Sequence, residues 1–230
     1  MQSSLSSVKM SRVVPIVPEE IGNQVFNYDI FSRILKDRII FLNGEVEEVM
    51  ANNIVSQLIF LNQQSDKPIT MYINSPGGSV TAGLSIYDTM NNISAQVNTV
   101  CIGQACSMGA FLLSAGDTRF AAPSSRIMIH QPLGGYQGQT TDIAIHTREI
   151  ESLKYFLTKI IAVNCGQDYE KVARDCERDY FLSSEGALAY GLIDHILPSS
   201  DLPNKRISKI DLKEILKEAG EIDLNRAHQR

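Results

Sequence analysis

The feature of this sequence that most restricts its fold is the regular alternation of apolar runs and amphipathic segments after Arg38. The apolar runs have the length of buried strands, whereas the amphipathic segments repeat their apolar residues at helical spacing. Strands are predicted at 39–42, 69–73 and 97–102, and helices at 46–62 and 80–90. Because strands that alternate with helices pair in parallel through right-handed crossovers, the pattern predicts an α/β fold.

Further elements are predicted on both sides of this region. Short strands are expected near 118–120 and 127–129, helices at 28–35, 141–163 and 168–175 and from Ser183, and a last strand at 193–197. The Gly-rich segment Gln131–Gln139 favours no regular element, and Gly166 is expected to end the long helix. Two prolines interrupt the apolar run that begins at Val13, so no regular strand is expected there.

Composition narrows the class of protein. The chain has 230 residues and 43% hydrophobic content, which suits one globular domain with a complete core. A net charge of −5 gives no reason to expect a nucleic-acid partner, and no run approaches the roughly 18 apolar residues of a membrane span. Four cysteines without a C-x-x-C pair, together with an N-terminus unlike a secretory signal, favour a reducing compartment. We expect a cytoplasmic location, with an organelle stroma or matrix as the alternative.

The stretch Gly103–Ala110 places a serine, Ser107, between a predicted strand and a predicted helix. Backbone N–H groups at a helix N-terminus lack intrahelical acceptors and can hold the oxyanion that forms when serine attacks a carbonyl. Ala105 occupies the place of the first glycine in a G-x-S-x-G elbow, so that motif is incomplete. The alternative is that Ser107 only caps the helix.

His130 is the best placed of four histidines to act as a base for Ser107, because it follows a predicted strand and precedes a Gly-rich loop. The alternative is a loop histidine bonded to backbone. His146 is expected on a helix surface, His195 in the last strand and His228 in the tail.

The residue patterns do not rank the carboxylates that could orient His130. The candidates near the end of the fold are Asp175, Glu177, Asp179 and Glu185. The turn Asn74–Gly78 also has two interpretations: a tight strand-to-helix turn, or a backbone strip that donates hydrogen bonds to an extended ligand.

Four motifs in order resemble the ClpP family of self-compartmentalised serine proteases. They are Met71–Gly78, Gly103–Ala110, Met128–Pro132 and Glu177–Leu182, and the resemblance runs from about residue 13 to 197. It implies a crotonase-like spiral α/β fold with parallel strands and a long handle helix, followed here by a charged C-terminal tail.

The resemblance also implies roles for single residues. Ser107 matches the family nucleophile, His130 its general base and Asp179 the carboxylate that orients the histidine. The backbone N–H groups of Gly78 and Met108 match the oxyanion hole. No metal or other cofactor is expected in this subunit.

The same resemblance divides the chain into segments. Residues 1–10 match a propeptide, 11–27 an axial gating arm and 28–200 the peptidase domain, with the handle at about 131–165. Residues 201–230 form a charged C-terminal extension.

The implied function is that of the proteolytic subunit of an ATP-dependent Clp protease, which hydrolyses unfolded polypeptides to short peptides. The expected assembly is two stacked heptameric rings, a homo-tetradecamer or a ring mixed with a paralogue, fed by a Clp-class AAA+ unfoldase that uses the ATP. Docking residues matched by the resemblance are Tyr72, Phe120 and Leu197, and ring-contact residues are Glu177 and Arg178. Smaller or more polar residues than expected stand at Thr70, Asn92 and Ala122, which favours weaker docking and a mixed ring.

Two other functions stay open at this point. A non-catalytic ring subunit would only support active partners, although such subunits generally lack at least one triad residue. An acyl-CoA enzyme of the same fold would use the Gly78 and Met108 amides to hold a thioester enolate, since a fold does not fix a function.

Overall fold

The computed structural model describes residues 14–197, which divide into two compact units after Arg38. The propeptide assigned to 1–10, the extension at 201–230 and His228 lie outside the described residues. No helix within 14–197 is both long enough and apolar enough to cross a membrane.

The first unit is a hairpin followed by a short helix. β1 (Ile16–Ile21) pairs antiparallel with β2 (Gln24–Asp29), and α1 (Ile30–Leu35) begins at the cap Asp29. The expectation that prolines exclude a strand here was wrong. The hairpin has only two strands, so Pro18, which has no N–H to donate, occupies an edge strand. The predicted end of the axial arm, at residue 27, falls inside β2.

The second unit confirms the predicted α/β fold. Its elements are β3 (Ile39–Asn43), α2 (Glu48–Gln64), β4 (Ile69–Ser75), α3 (Val80–Asn92), β5 (Val97–Cys106), α4 (Met108–Ser114), β6 (Arg119–Ala121), β7 (Arg126–Ile129), α5 (Thr140–Cys165), α6 (Tyr169–Asp175), β8 (Tyr180–Leu182), α7 (Ser184–Tyr190) and β9 (His195–Ile196). The sequence pattern predicted each of these except β8.

Five strands form a parallel path in the order β3-β4-β5-β6-β9. The ten-residue strand β5 extends beyond this path, because Thr99–Cys101 pair with β6 whereas Gln104–Cys106 pair with β7. Gly103, at a φ of +75°, lies between these two segments. β7 then pairs antiparallel with β8. The C-terminal part of β5 therefore belongs to a second row of strands, β5-β7-β8, beside the parallel path.

Apolar residues on alternate positions of the strands bury one face of the sheet. Ile40, Leu42, Met71 and Ile73 are at most 1% exposed, and so are Ile54, Leu58 and Leu61 on α2. This core is continuous with α4, whose seven residues are all buried. The helix that follows Ser107 is therefore fixed in the interior, and it can hold the serine rigidly.

The long helix α5 is buried only towards its C-terminal end, at Leu157, Thr158, Ile161, Ala162 and Cys165. Its first turns expose Ile143 and Ile145, and Gly166 ends it in the left-handed conformation, as predicted. The preceding segment 131–139 has no regular structure, also as predicted. The N-terminal half of α5 therefore buries no residue in its own chain.

Candidate active site

Ser107 occupies the turn between β5 and α4 with φ 54° and ψ −122°, a backbone conformation that is rare for a residue other than glycine. Its N–H donates to the carbonyl of Met128 at 2.8 Å, which ties the turn to β7. Its hydroxyl makes no capping bond with α4. The simple cap interpretation is therefore wrong, and the side chain points elsewhere.

The hydroxyl of Ser107 lies 2.8 Å from Nε2 of His130. His130 follows β7 directly, and β7 is held beside β5 by the pairing of Met128 with Cys106. The side chain of His130 is 14% exposed, so the ring is mostly enclosed. Parallel pairing of the two strands thus brings the residues after their carboxyl ends together.

Asp179 is the carboxylate that meets the histidine, with Oδ1 3.0 Å from Nδ1 of His130. It precedes β8, whose antiparallel register with β7 pairs Tyr180 with Ile129. In such a register the residue after β7 faces the residue before β8. The structure therefore places the three side chains that the family resemblance selects in one hydrogen-bonded chain.

The other candidate carboxylates have different surroundings. Asp175 accepts hydrogen bonds from Tyr190 Oη at 2.9 Å and Lys171 Nζ at 3.0 Å. Glu177 pairs with Lys154 at 2.8 Å. Within residues 14–197, one oxygen of Glu185 is buried without a hydrogen-bond partner.

The turn after β4 lies directly against the serine. A β-carbon added at Gly77 would stand 2.6 Å from Cβ of Ser107 and 3.1 Å from the amide nitrogen of Met108. Met108 is the first residue of α4, so its N–H has no acceptor within the helix. Gly78 is held against Val46, whose N–H donates to Gly77 and whose carbonyl accepts from Ser79. The turn after β4 therefore approaches both Ser107 and the amide nitrogen of Met108.

Burial disfavours ionisation of the thiols near the site. Burial raises the pKa of Cys106, the residue before Ser107, and the nearby charge of Asp179 raises it further. Burial also raises the pKa of Cys101 to about 12. The site therefore offers a hydroxyl rather than a thiolate as its nucleophile. Residues 14–197 contain no group of three or more His, Cys, Asp or Glu side chains arranged to hold a metal ion.

Tyr72 and Phe120, matched to partner docking, lie on the face of the sheet opposite the one on which Ile40, Leu42, Met71 and Ile73 are buried. In-register pairing places Phe41, Tyr72, Val100, Phe120 and His195 in one row across β3-β4-β5-β6-β9. The rings of Phe41 and Tyr72 are 5.5 Å apart, and those of Phe120 and His195 are 5.2 Å apart. Leu197, two residues beyond His195, is held to Ala121 by its N–H at 2.8 Å. Thr70 stands two residues before Tyr72 in β4 and therefore on the same face, whereas Ala122 follows the end of β6.

Glu177 and Arg178, matched to ring contacts, are exposed in the loop between α6 and β8. Residue patterns gave no indication that Glu177 would pair with Lys154 on α5, or that Gln131 would donate to the Glu177 carbonyl. His146 does not enter the site; its ring stacks on that of Tyr136, with the two ring centroids 3.7 Å apart.

The family model for Clp protease matches residues 22–200 of this chain. The chain belongs to the Clp protease family. This match confirms the resemblance inferred from the motifs and supports a ClpP-type peptidase. Membership of the Clp protease family favours peptide hydrolysis over the acyl-CoA chemistry that the same fold also supports.

Proposed function

We propose that this chain is a catalytically active serine endopeptidase and the proteolytic subunit of an ATP-dependent Clp protease. The observation that supports the proposal most directly is the hydrogen-bonded chain from Ser107 through His130 to Asp179, with contacts of 2.8 and 3.0 Å. A nucleophile, a base and a group that orients the base are the three parts that acyl transfer requires.

Each residue of the chain has a defined step. Nε2 of His130 accepts the proton of the Ser107 hydroxyl as its oxygen attacks the peptide carbonyl. Nδ1–H of His130 donates to Asp179, which fixes the tautomer and stabilises the imidazolium. His130 then protonates the leaving amine, and water hydrolyses the acyl-enzyme by the reverse proton path.

The backbone amides of Gly78 and Met108 are proposed to hold the oxyanion. The Gly77–Gly78 turn approaches Ser107 so closely that a side chain at Gly77 would collide with it. Two fixed N–H groups stabilise the charge that develops on the carbonyl oxygen without reorganisation during the reaction. The subunit needs no metal or cofactor for these steps.

We place the chain in two stacked heptameric rings, homomeric or mixed with a paralogue, in the cytoplasm. Leu133 is 88% exposed and Ile145 is 53% exposed on the proposed handle, and such apolar side chains favour contact with another subunit. The row that contains Tyr72 and Phe120, together with Leu197, is the proposed surface for a Clp-class unfoldase, which would use the ATP. Its substrates would be unfolded polypeptides.

Labelling with a fluorophosphonate tests the activity directly. We expect one covalent adduct on Ser107, located by peptide mass spectrometry, and no adduct on a Ser107→Ala variant. Ser85→Ala, on the exposed face of α3, is the matched control and should label like the parent protein. An unlabelled parent protein in its assembled form would instead favour the non-catalytic ring subunit.

A further inference from the structure

The position of Asp179 depends on its backbone rather than on its side chain. The side chain is 60% exposed, and within residues 14–197 its one hydrogen-bonded partner is His130. An exposed carboxylate with a single partner can rotate into solvent unless the main chain directs it inward. What holds the segment that carries Asp179 therefore decides how well the histidine is oriented.

That segment is the four-residue loop 176–179 between α6 and β8. Its C-terminal end is fixed by the pairing of Tyr180 with Ile129. Its N-terminal end is fixed by Gln131, whose N–H donates to the Cys176 carbonyl at 2.6 Å. The side-chain amide of Gln131 donates to the Glu177 carbonyl at 2.9 Å. Both neighbours of the histidine thus hold the loop that carries its partner.

We propose that Gln131 is a positioning residue for catalysis, which holds loop 176–179 so that Asp179 stays opposite His130. This inference rests on the proposed function. Gln131 is not a member of the hydrogen-bonded chain from Ser107 through His130 to Asp179, so it would act through the loop.

The Lys154–Glu177 ion pair on the same loop provides the control. Lys154 is 32% exposed and Glu177 57% exposed, and ion pairs of this exposure contribute little to stability. The bond from Gln131 is different, because it ends on a main-chain carbonyl and so restrains the backbone itself. Removing each contact separately distinguishes the two.

The first test compares Gln131→Met with Lys154→Met in the assembled protein, using turnover of a fluorogenic peptide. Methionine keeps the length and most of the volume of glutamine but has no amide donor. Since a lost hydrogen bond is worth about tenfold in an equilibrium, we expect kcat to fall about tenfold with KM changed less than about twofold. Lys154→Met should stay within about twofold of the parent protein in both constants.

The second test asks whether Gln131 acts through Asp179. In an Asp179→Asn background, Gln131→Met should cost nothing further, because the interaction it supports is already lost. A purely structural role would lower kcat by the same factor in both backgrounds, and that result would overturn the inference.

The third test does not depend on activity. Amide hydrogen exchange of peptides that cover 176–180 should be about tenfold faster in Gln131→Met, whereas peptides from β4 and β5 should be unchanged. Unchanged exchange and kcat in Gln131→Met, with a normal fluorophosphonate adduct on Ser107, would refute the inference and leave the proposed function intact. Faster exchange in a protein that neither labels nor turns over peptide would support the positioning of the loop and refute the proposed function.

Discussion

Ile129 and Tyr180 are paired across β7 and β8, although 51 positions separate them in the chain. Because the two strands are antiparallel, the residues just beyond this pair, His130 and Asp179, face each other at 3.0 Å. A second pairing, of Met128 with Cys106, places Ser107 at the same edge. The geometry of the site therefore follows from two strand registers and not from local sequence.

Substitution of the two residues that serve Ser107 is expected to abolish most turnover. His130→Ala removes the base and Asp179→Asn removes the charge that stabilises the imidazolium, so each should lower kcat by about 10⁴. Asp168→Asn is the control, since the exposed Asp168 makes no side-chain capping bond with α6. Steady-state kinetics of a fluorogenic peptide measures the effect, and full activity in either triad variant would remove that residue from its role.

Much of the fold could be predicted from sequence because burial leaves a periodic signal. The strands of the parallel sheet are apolar runs such as 39–42 and 69–73, and the boundaries of α3 and α5 fall within a few residues of their predicted positions. β8 was missed because its residues show no burial pattern: Tyr180 is half-buried, Phe181 exposed and Leu182 buried.

The missed strand explains why residue patterns could not rank the carboxylates. Asp179 is exposed, so neither burial nor periodicity distinguishes it from Glu177, and only its register against β7 does. The motif resemblance selected Asp179 because the matched segment Glu177–Leu182 includes the residues of β8 that set this register. The hairpin at 16–29 was missed for another reason: a proline excludes a central strand but not an edge strand.

Replacing Gly77 by alanine should damage the site without unfolding the protein. The new β-carbon would lie 2.6 Å from Cβ of Ser107 at a φ of +97°, so the turn or the serine must move. We expect kcat to fall by at least about 10²-fold, as when one oxyanion-hole donor is lost.

The control for this substitution is Gly166→Ala. Gly166 also has a positive φ, +63°, but a β-carbon there would meet no atom within 4 Å. It should lower stability by about 1 kcal/mol and leave kcat close to that of the parent protein. Equal loss of kcat in both variants would show that backbone strain, not contact with Ser107, is responsible.

All four cysteines should be unreactive in the native protein. They are buried and unpaired, and burial raises the pKa of Cys101, Cys165 and Cys176 to about 12. At pH 8 a thiol of that pKa is about 10⁻⁴ thiolate, the form that reacts. Titration with a disulfide reagent should detect almost no thiol in native protein and all four in guanidinium chloride. Rapid reaction of one thiol in the native state would locate a site that opens locally.

The Arg119–Asp194 pair should make stability depend on pH in the acid range. Arg119 donates three hydrogen bonds to the Asp194 carboxylate, two from its guanidinium at 2.6 and 3.0 Å and one from its backbone N–H at 2.8 Å. Its guanidinium also donates to the carbonyls of Asn164 and Gly191 at the ends of α5 and α7. These bonds, and the charge of the guanidinium, hold the pKa of Asp194 below its ordinary value of 3.8. The folded state therefore binds this proton less readily than the unfolded state does.

The sign of the pH effect follows from that lowered pKa. A carboxyl whose pKa is depressed by folding stabilises the protein above its unfolded value, and this contribution is lost as the pH falls through the folded pKa. Asp194→Asn should lower Tm by a constant amount between pH 5 and 8. Below about pH 4, the difference in Tm between the variant and the parent protein should shrink as the pH falls. Thermal unfolding of both proteins across this range measures the difference. A difference in Tm that does not narrow in acid would show that the Asp194 charge contributes nothing and that only its hydrogen-bonding geometry matters.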